Sequence, residues 1–223
     1  MSTNIFEKRK KDILEKKDKS SKGKWDEKII SLCEKINSKK EFYTTSSCSG
    51  RVLALIDFDK KVSNLFLYVS HDKIEFDEFK KELINLCTSK IPPTNPPTTH
   101  PKSSNLKTFK LLQMVNNNSV SKNPNKTIIF KQEPCGLHVA CQTLEKAQEL
   151  LTKAKLSGWK KSGIISSEKR FIVEMFGTGK LEFPIIKNGK LLVDDGFLKI
   201  VLKKANENLE KSWKIIEKLK NKI

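Results

Sequence analysis

From Ile91 to Pro101 the chain reads Ile-Pro-Pro-Thr-Asn-Pro-Pro-Thr-Thr-His-Pro, five prolines in eleven residues. Proline lacks a donor N–H and locks its φ angle, so this run excludes both a helix and an inner strand. Polar, low-complexity sequence follows, in Asn116-Asn117-Asn118-Ser119 and Ser121-Lys122-Asn123-Pro124-Asn125-Lys126. The segment from about 90 to 126 therefore reads as a surface insertion. Ordered structure has to be built from the two blocks that flank it.

Both blocks alternate helical and strand patterns. In the first, Trp25, Ile29, Leu32, Cys33 and Ile36 recur at helical spacing, with Asp26 placed to cap. Strands are expected near Phe42–Ser46, Arg51–Phe58 and Leu65–Ser70. A helix over Ile74–Leu86 carries Phe76, Phe79, Leu83 and Leu86 on one face. In the second block, strands Thr127–Lys131 and Gly136–Gln142 flank the bend Glu133-Pro134. Thr143 caps a helix that stops at Ser157-Gly158. A strand following Trp159 comes next, then Arg170–Phe176 and Leu181–Ile186. Gly177-Thr-Gly-Lys180 reads as a hairpin turn, and Asn188-Gly189 as a second hairpin signal before Lys190–Val193. Asp194-Asp195 starts a helix to about Lys220, with Leu198, Val201, Ala205, Leu209, Trp213, Ile216 and Leu219 inward and lysines outward. The sum is about eight strands and four helices. The fold class is α/β of the α+β type, with mixed or mostly antiparallel strands. A helix beside three strands on each side of the insertion is consistent with an internal duplication. Residues 1–24 form a basic N-terminal arm that Ile5, Phe6, Ile13 and Leu14 can anchor as a loose helix. Residues 25–223 read as a single domain.

The net charge is +18, with 44 basic against 26 acidic side chains, which favours a polyanionic partner and above all nucleic acid. Only Arg9, Arg51 and Arg170 are arginines, so lysine carries most of this charge. The five cysteines are odd in number, form no CxxC, and match no zinc spacing, so they read as reduced thiols of a cytosolic or nuclear protein without a metal. No apolar run is long enough for a membrane span, and the polar N-terminus is no secretory signal. No GxGxxG follows a strand, no Walker loop occurs, and no HxE…CxxC set is present, which excludes Rossmann, P-loop and zinc-deaminase chemistry.

What remains is Phe42-Tyr-Thr-Thr-Ser-Ser-Cys-Ser-Gly-Arg51. Hydroxyls and a thiol crowd together, Gly50 permits unusual dihedrals, and Arg51 offers a planar cationic fork. This reads either as a Ser/Thr-rich turn between strands or as a binding loop on a rigid frame. His71 ends a strand, His100 lies in the Pro-rich run, and His138 sits in Leu137-His138-Val139-Ala140-Cys141. Strand alternation puts His138 on the face opposite Leu137, Val139 and Cys141. A carboxylate, hydroxyls and an imidazole, if they converge, can do acid–base work.

Thr44-x-Ser46-Ser47-Cys48-x-Gly50-Arg51 resembles the signature (S/T)-x-S-S-C-x-G-R of the tRNA wybutosine-synthesising methyltransferases, specifically the third enzyme of that pathway. Asp18-x-Ser20-x-Lys22-Gly23 with Asp26-Glu27, Val69-Ser70-His71, Phe130-Lys-x-Glu133-Pro134, Leu137-His138-Val139-x-Cys141 and Lys169-Arg170 resemble further blocks of that family, in order. The resemblance runs from about 14 to 220, apart from the insertion. It implies a non-Rossmann enzyme that uses S-adenosylmethionine. The implied substrate is the 4-demethylwyosine-type guanosine derivative at position 37, in the anticodon loop of phenylalanine tRNA, methylated at N-4 in the cytoplasm. Catalytic roles fall to Ser46, Ser47, His138 and one of Asp18 or Asp26. Cofactor contacts fall to Thr44, Ser47, Cys48, Gly50, Arg51 and His71. A non-catalytic basic RNA-binding protein is the alternative, and it would bind tRNA without binding the cofactor.

Overall fold

The structure is a computed structural model that describes residues 3–15, 26–57, 66–88, 127–167 and 170–223. In chain order its elements are α1 (Thr3–Leu14), α2 (Glu27–Asn37), β1 (Phe42–Cys48), β2 (Arg51–Ile56), β3 (Phe66–Ser70), α3 (Phe76–Thr88), β4 (Thr127–Glu133), β5 (Gly136–Cys141), α4 (Leu144–Leu156), β6 (Lys161–Ser167), β7 (Arg170–Phe176), β8 (Leu181–Lys187), β9 (Lys190–Leu191) and α5 (Asp195–Lys222). The described residues fall into two compact units. Those within 1–51, 133–179 and 207–223 form the first, and those within 52–132 and 180–206 the second.

The first unit is built on a four-stranded sheet in the order β1-β5-β7-β6, with every pairing antiparallel. Residues alternate across it. Leu137, Val139 and Cys141 of β5 and Val173 and Met175 of β7 point to the face covered by helices. There they meet Ile29, Leu32, Cys33 and Ile36 of α2, Ala147, Leu150, Leu151 and Ala154 of α4, and Ile216 and Leu219 of α5. This apolar layer is the core, and burying it drives the unit together. Thr143 caps α4 by accepting the Lys146 N–H, as its position in the sequence suggests. The opposite sheet face is partly covered by α1. Phe6 is buried there against Tyr43, ring centroids 5.1 Å apart, beside Ala140 and Ile13. The N-terminal arm thus holds a fifth described helix, fixed by one aromatic anchor.

The second unit holds a five-stranded sheet in the order β3-β2-β4-β8-β9. A file of rings, Tyr68, Phe79, Phe130, Phe183 and Phe197, runs from its core to the surface, with successive centroids 5.0 to 5.8 Å apart, Phe79 and Phe130 fully buried and Phe197 exposed. Asn206 locks the start of α3 by accepting the Ile74 N–H at 2.8 Å and donating to its C=O at 2.9 Å. Asn188 and Gly189 both take positive φ, 51° and 71°, the backbone a tight two-residue hairpin needs.

Two local expectations change. The strand expected near Phe42–Ser46 runs on through Cys48, so the turn between β1 and β2 shrinks to Ser49 and Gly50. The β-branched Thr44 and Thr45 suit a pleated edge, and β1 is an edge strand. Gly177–Lys180 is not a hairpin, because β7 and β8 lie in different sheets. Its glycines answer to close approach: a Cβ at Gly177 would meet Pro134 at 3.0 Å, and one at Gly179 would meet Asn208 at 2.8 Å. None of the described helices is long and apolar enough to cross a membrane.

Candidate active site

On the open face of the first unit's sheet, one row of residues crosses three strands. Ser46 on β1 is the register partner of His138 on β5, and His138 is the partner of Glu174 on β7. A register irregularity between Thr44 and Ser46 brings this about. Tyr43 pairs with Ala140 on the open face, yet the extra residue lets Ser46 share that face too. The Nε2 of His138 stands 2.9 Å from Oε1 of Glu174, and both side chains are about one-third exposed, 31% and 36%. The Thr45 hydroxyl donates to the His138 carbonyl at 3.4 Å. The Phe176 ring meets the imidazole edge-on, centroids 5.6 Å apart. The imidazole is therefore held from two sides. Nε2 faces the carboxylate, which leaves Nδ1 as the other polar atom of the ring.

The next residues along β1 are sorted by the pleat. Ser47 turns to the helix side, where its hydroxyl is hydrogen-bonded to Cys33. Burial pushes that thiol up to about 12 despite the bond, so it stays protonated and inert. Thr44 is buried and tied to the end of α2. Its N–H donates to Asn37 Oδ1 at 2.8 Å, and Asn37 Nδ2 donates to its hydroxyl at 3.0 Å. Cys48 is half-buried and pairs with Gly136 in register.

The Ser49-Gly50 turn is the most constrained backbone here. Asp26 occupies the N-cap position of α2, but its side chain makes no cap bond. Its Oδ2 accepts the Ser49 N–H at 2.9 Å in a buried setting. The Ser49 hydroxyl is fully buried and has no hydrogen-bond partner among the described residues. A buried unpaired hydroxyl is costly unless something else satisfies it. Gly50 has φ +102°, and a Cβ there would meet the Glu133 carbonyl and Leu209, each at 3.3 Å. Arg51 donates from Nε to Glu133 Oε2 at 2.8 Å, an ion pair about one-third exposed. Thus Arg51 is held in place by a carboxylate of its own unit.

Among the expected site residues, the first unit brings together Ser46 and His138 on one face and Asp26 with the Ser49-Gly50 turn. It divides Ser46 from Ser47, which lie on opposite faces. His71 follows β3 in the second unit. Asp18 lies outside the described residues. Glu174 carries no signal in the sequence, because its partner lies 36 positions away across a helix and a strand. Ser49 stands in the sequence as one hydroxyl among several in the Phe42–Arg51 stretch, and its burial singles it out.

A family model described as methyltransferase TYW3 matches residues 8–223. The tRNA(Phe) 7-((3-amino-3-carboxypropyl)-4-demethylwyosine(37)-N(4))-methyltransferase of Thermococcus sibiricus is 29% identical over 222 residues, 98% of this chain and 94% of its own. The tRNA wybutosine-synthesizing protein 3 homolog of Homo sapiens is 30% identical over 217 residues, 97% of this chain and 71% of its own. The solved structure of the PH1069 protein from Pyrococcus horikoshii superposes with a TM-score of 0.72 at 27% identity, covering 99% of this chain and 94% of that one.

Proposed function

Because the chain belongs to the TYW3 methyltransferase family, we propose that it methylates ring nitrogen N-4 of the 4-demethylwyosine-type guanosine at position 37 of phenylalanine tRNA, with S-adenosylmethionine as donor. Relatives that match nearly the whole chain carry this activity in their names. The observation that carries the reading is the row Ser46, His138 and Glu174, an imidazole held by a carboxylate on an open sheet face.

The reaction replaces a ring N–H by N–CH3, so a proton has to leave. His138 takes it on Nδ1, and Glu174 holds the ring and stabilises the imidazolium that forms. Ser46, beside His138, hydrogen-bonds the base and orients it. When bound, the sulfonium cofactor supplies an electrophilic methyl for an in-line displacement. The Ser49-Gly50 turn fits such a polar ligand. Ser49 offers an unpaired hydroxyl, Gly50 a backbone with no Cβ in the way, and Asp26 a buried carboxylate that fixes the turn by accepting the Ser49 N–H. Arg51, held by Glu133, adds positive charge next to that turn. Cys48 lines the strand as a small side chain; no covalent step calls for its thiol. The target base lies in a single-stranded loop, so it can be presented without opening a duplex. A tRNA substrate, together with five cysteines that form no disulfide, supports a cytoplasmic location.

The test is incubation of the protein with S-adenosylmethionine and tRNA-Phe bearing the demethylated intermediate, followed by nucleoside mass spectrometry. One added methyl at the position-37 nucleoside is expected. Binding of tRNA without cofactor binding or methyl gain would leave only an RNA-binding protein.

A further inference from the structure

Gly136 and Gly163 both lie on the open face of the first unit's sheet, and they differ in what fills the place of the missing side chain. Gly136 on β5 is the register partner of Phe176 on β7. A Cβ there would meet the Phe176 ring at 2.7 and 2.9 Å, so the ring covers this glycine, and the same ring meets the His138 imidazole edge-on. Gly163 on β6 is the register partner of Glu174, and it carries the row Ser46, His138, Glu174 onto the fourth strand. A Cβ there would meet nothing within 4 Å, and the residue is exposed.

A glycine inside a strand gives up packing and costs backbone entropy, so it calls for a reason. A bulge is not the reason, because register with β7 runs unbroken from Lys161 to Ser167. Nor is a positive φ, which among the described glycines belongs to Gly50, Gly158 and Gly189. Nor is close approach of another described part of the chain, because the Cβ position is empty. The remaining use of a strand glycine is close approach of a ligand. The surroundings suit one. His138 and Glu174 stand side by side, each about one-third exposed, and the floor drops by a whole side chain at Gly163. Alternation puts Ile165 on the same face, paired with Ile172 and 53% exposed, so an apolar side chain flanks the step. Two strand spacings, about 10 Å, separate Gly163 from His138.

We propose that Gly163 is a specificity-determining residue: the step it leaves beside Glu174 receives the part of the substrate base that extends beyond guanine. The inference rests on the reading of the chain as a methyltransferase of a 4-demethylwyosine-type base and names how that base is told from an ordinary one. Such a base carries a fused ring beyond the two of guanine. With its reactive nitrogen at His138, its far end reaches past Glu174 toward the sheet edge, where guanine itself ends short. β6 is the edge strand, which leaves the step open outward.

The test uses the full chain with two preparations of tRNA-Phe, one bearing the demethylated intermediate at position 37 and one bearing unmodified guanosine. Gly163→Ala, Gly163→Val and Gly163→Leu fill the step progressively. Open space and a backbone that any residue adopts mean that the urea midpoint should hold or rise, most of all for the strand-forming valine. Affinity for the intermediate-bearing tRNA should fall with side-chain size, by about tenfold in G163L. Affinity for the unmodified tRNA should stay within about twofold, because phosphate contacts set it. At saturating substrate the rate in G163L should drop about 100-fold, since a base lifted off the step no longer meets His138 in line. Cofactor affinity, measured by calorimetry on the same samples, should not move. G163L methylation at the wild-type rate, or equal loss of affinity for both tRNAs, would overturn the specificity role and leave the enzyme assignment standing. A lowered midpoint in G163A would overturn it as well, by showing that the space is filled. A wild-type protein that adds no methyl to the intermediate-bearing tRNA would instead overturn the assignment on which the role rests.

Discussion

Nε2 of His138 lies 2.9 Å from Oε1 of Glu174, and the two residues are register partners on adjacent antiparallel strands. Strand pairing, rather than a flexible loop, sets the direction of the imidazole. Two consequences follow for activity. His138→Ala removes the proposed proton acceptor and should lower kcat about 100-fold. Both side chains are partly exposed, so the fold should survive. Glu174→Ala should cost about tenfold in kcat with KM for tRNA unchanged, and Glu174→Gln less, because a carboxamide oxygen still accepts from Nε2–H. Steady-state kinetics on all three variants decides. E174A kinetics matching the wild type would reduce the pair to a surface contact.

Ser49 gives a prediction of opposite sign for stability and binding. Its hydroxyl is buried without a partner, so Ser49→Ala removes an unsatisfied group at almost no cost in packing. The protein alone should be unchanged or more stable, by about 1 kcal/mol. If that hydroxyl meets the cofactor, S-adenosylmethionine affinity should drop at the same time. Urea denaturation and calorimetric titration on one preparation read both. A variant that loses stability and keeps affinity would make the hydroxyl structural.

How much of this was legible beforehand depends on the range of the interaction. Arg170–Phe176 and the Asn188-Gly189 hairpin follow from alternation and turn chemistry, which are local, and they stand as read. The face of His138 follows from the same period-two rule. Its partner does not. Glu174 reaches His138 only because α4 and β6 intervene and β7 returns beside β5, a register that no short window encodes. The end of the hydroxyl-rich strand was less legible for a related reason. Serine favours turns on its own, but pairing of Ser47 and Cys48 with β5 overrides that preference. Asp26 looked like a cap and occupies the cap position, yet its carboxylate serves the turn after β1, 23 residues on. Likewise α1 owes its place to Phe6 finding Tyr43, a contact its lysine-rich sequence does not announce.

Gly50 tests the turn's rigidity. Its φ of +102° disfavours any side chain, and an added Cβ would press on the Glu133 carbonyl and Leu209. The backbone oxygen cannot swing away as a side chain can. Gly50→Ala should therefore destabilise the protein by roughly 1–2 kcal/mol. A lowered denaturation midpoint with unchanged m-value is the expected record. No shift in midpoint would mean that the turn relaxes at no cost and is not the fixed frame the cofactor contacts require.

Alkaline pH offers a final check on the first unit's core. Burial pushes the thiols of Cys33, Cys135 and Cys141 each up to about 12 from an ordinary 9.0. A thiol with a raised folded value adds stability that is fully present below the unfolded value. Above pH 9 the unfolded chain releases protons that the folded one retains, so stability falls as pH climbs toward 12. The limiting slope is about 1.4 kcal/mol per pH unit for each thiol. Urea midpoints should be level from pH 7 to 8 and drop steeply above 9. Cys141→Ala, which removes one of the three, should make the decline shallower. The same burial predicts that Cys33, Cys135 and Cys141 resist a thiol reagent in the native state, while the half-buried Cys48 and Cys87 react first. Labelling at pH 8 followed by peptide mapping reads this directly, and rapid modification of Cys33 would show that the sheet and α2 do not pack as described.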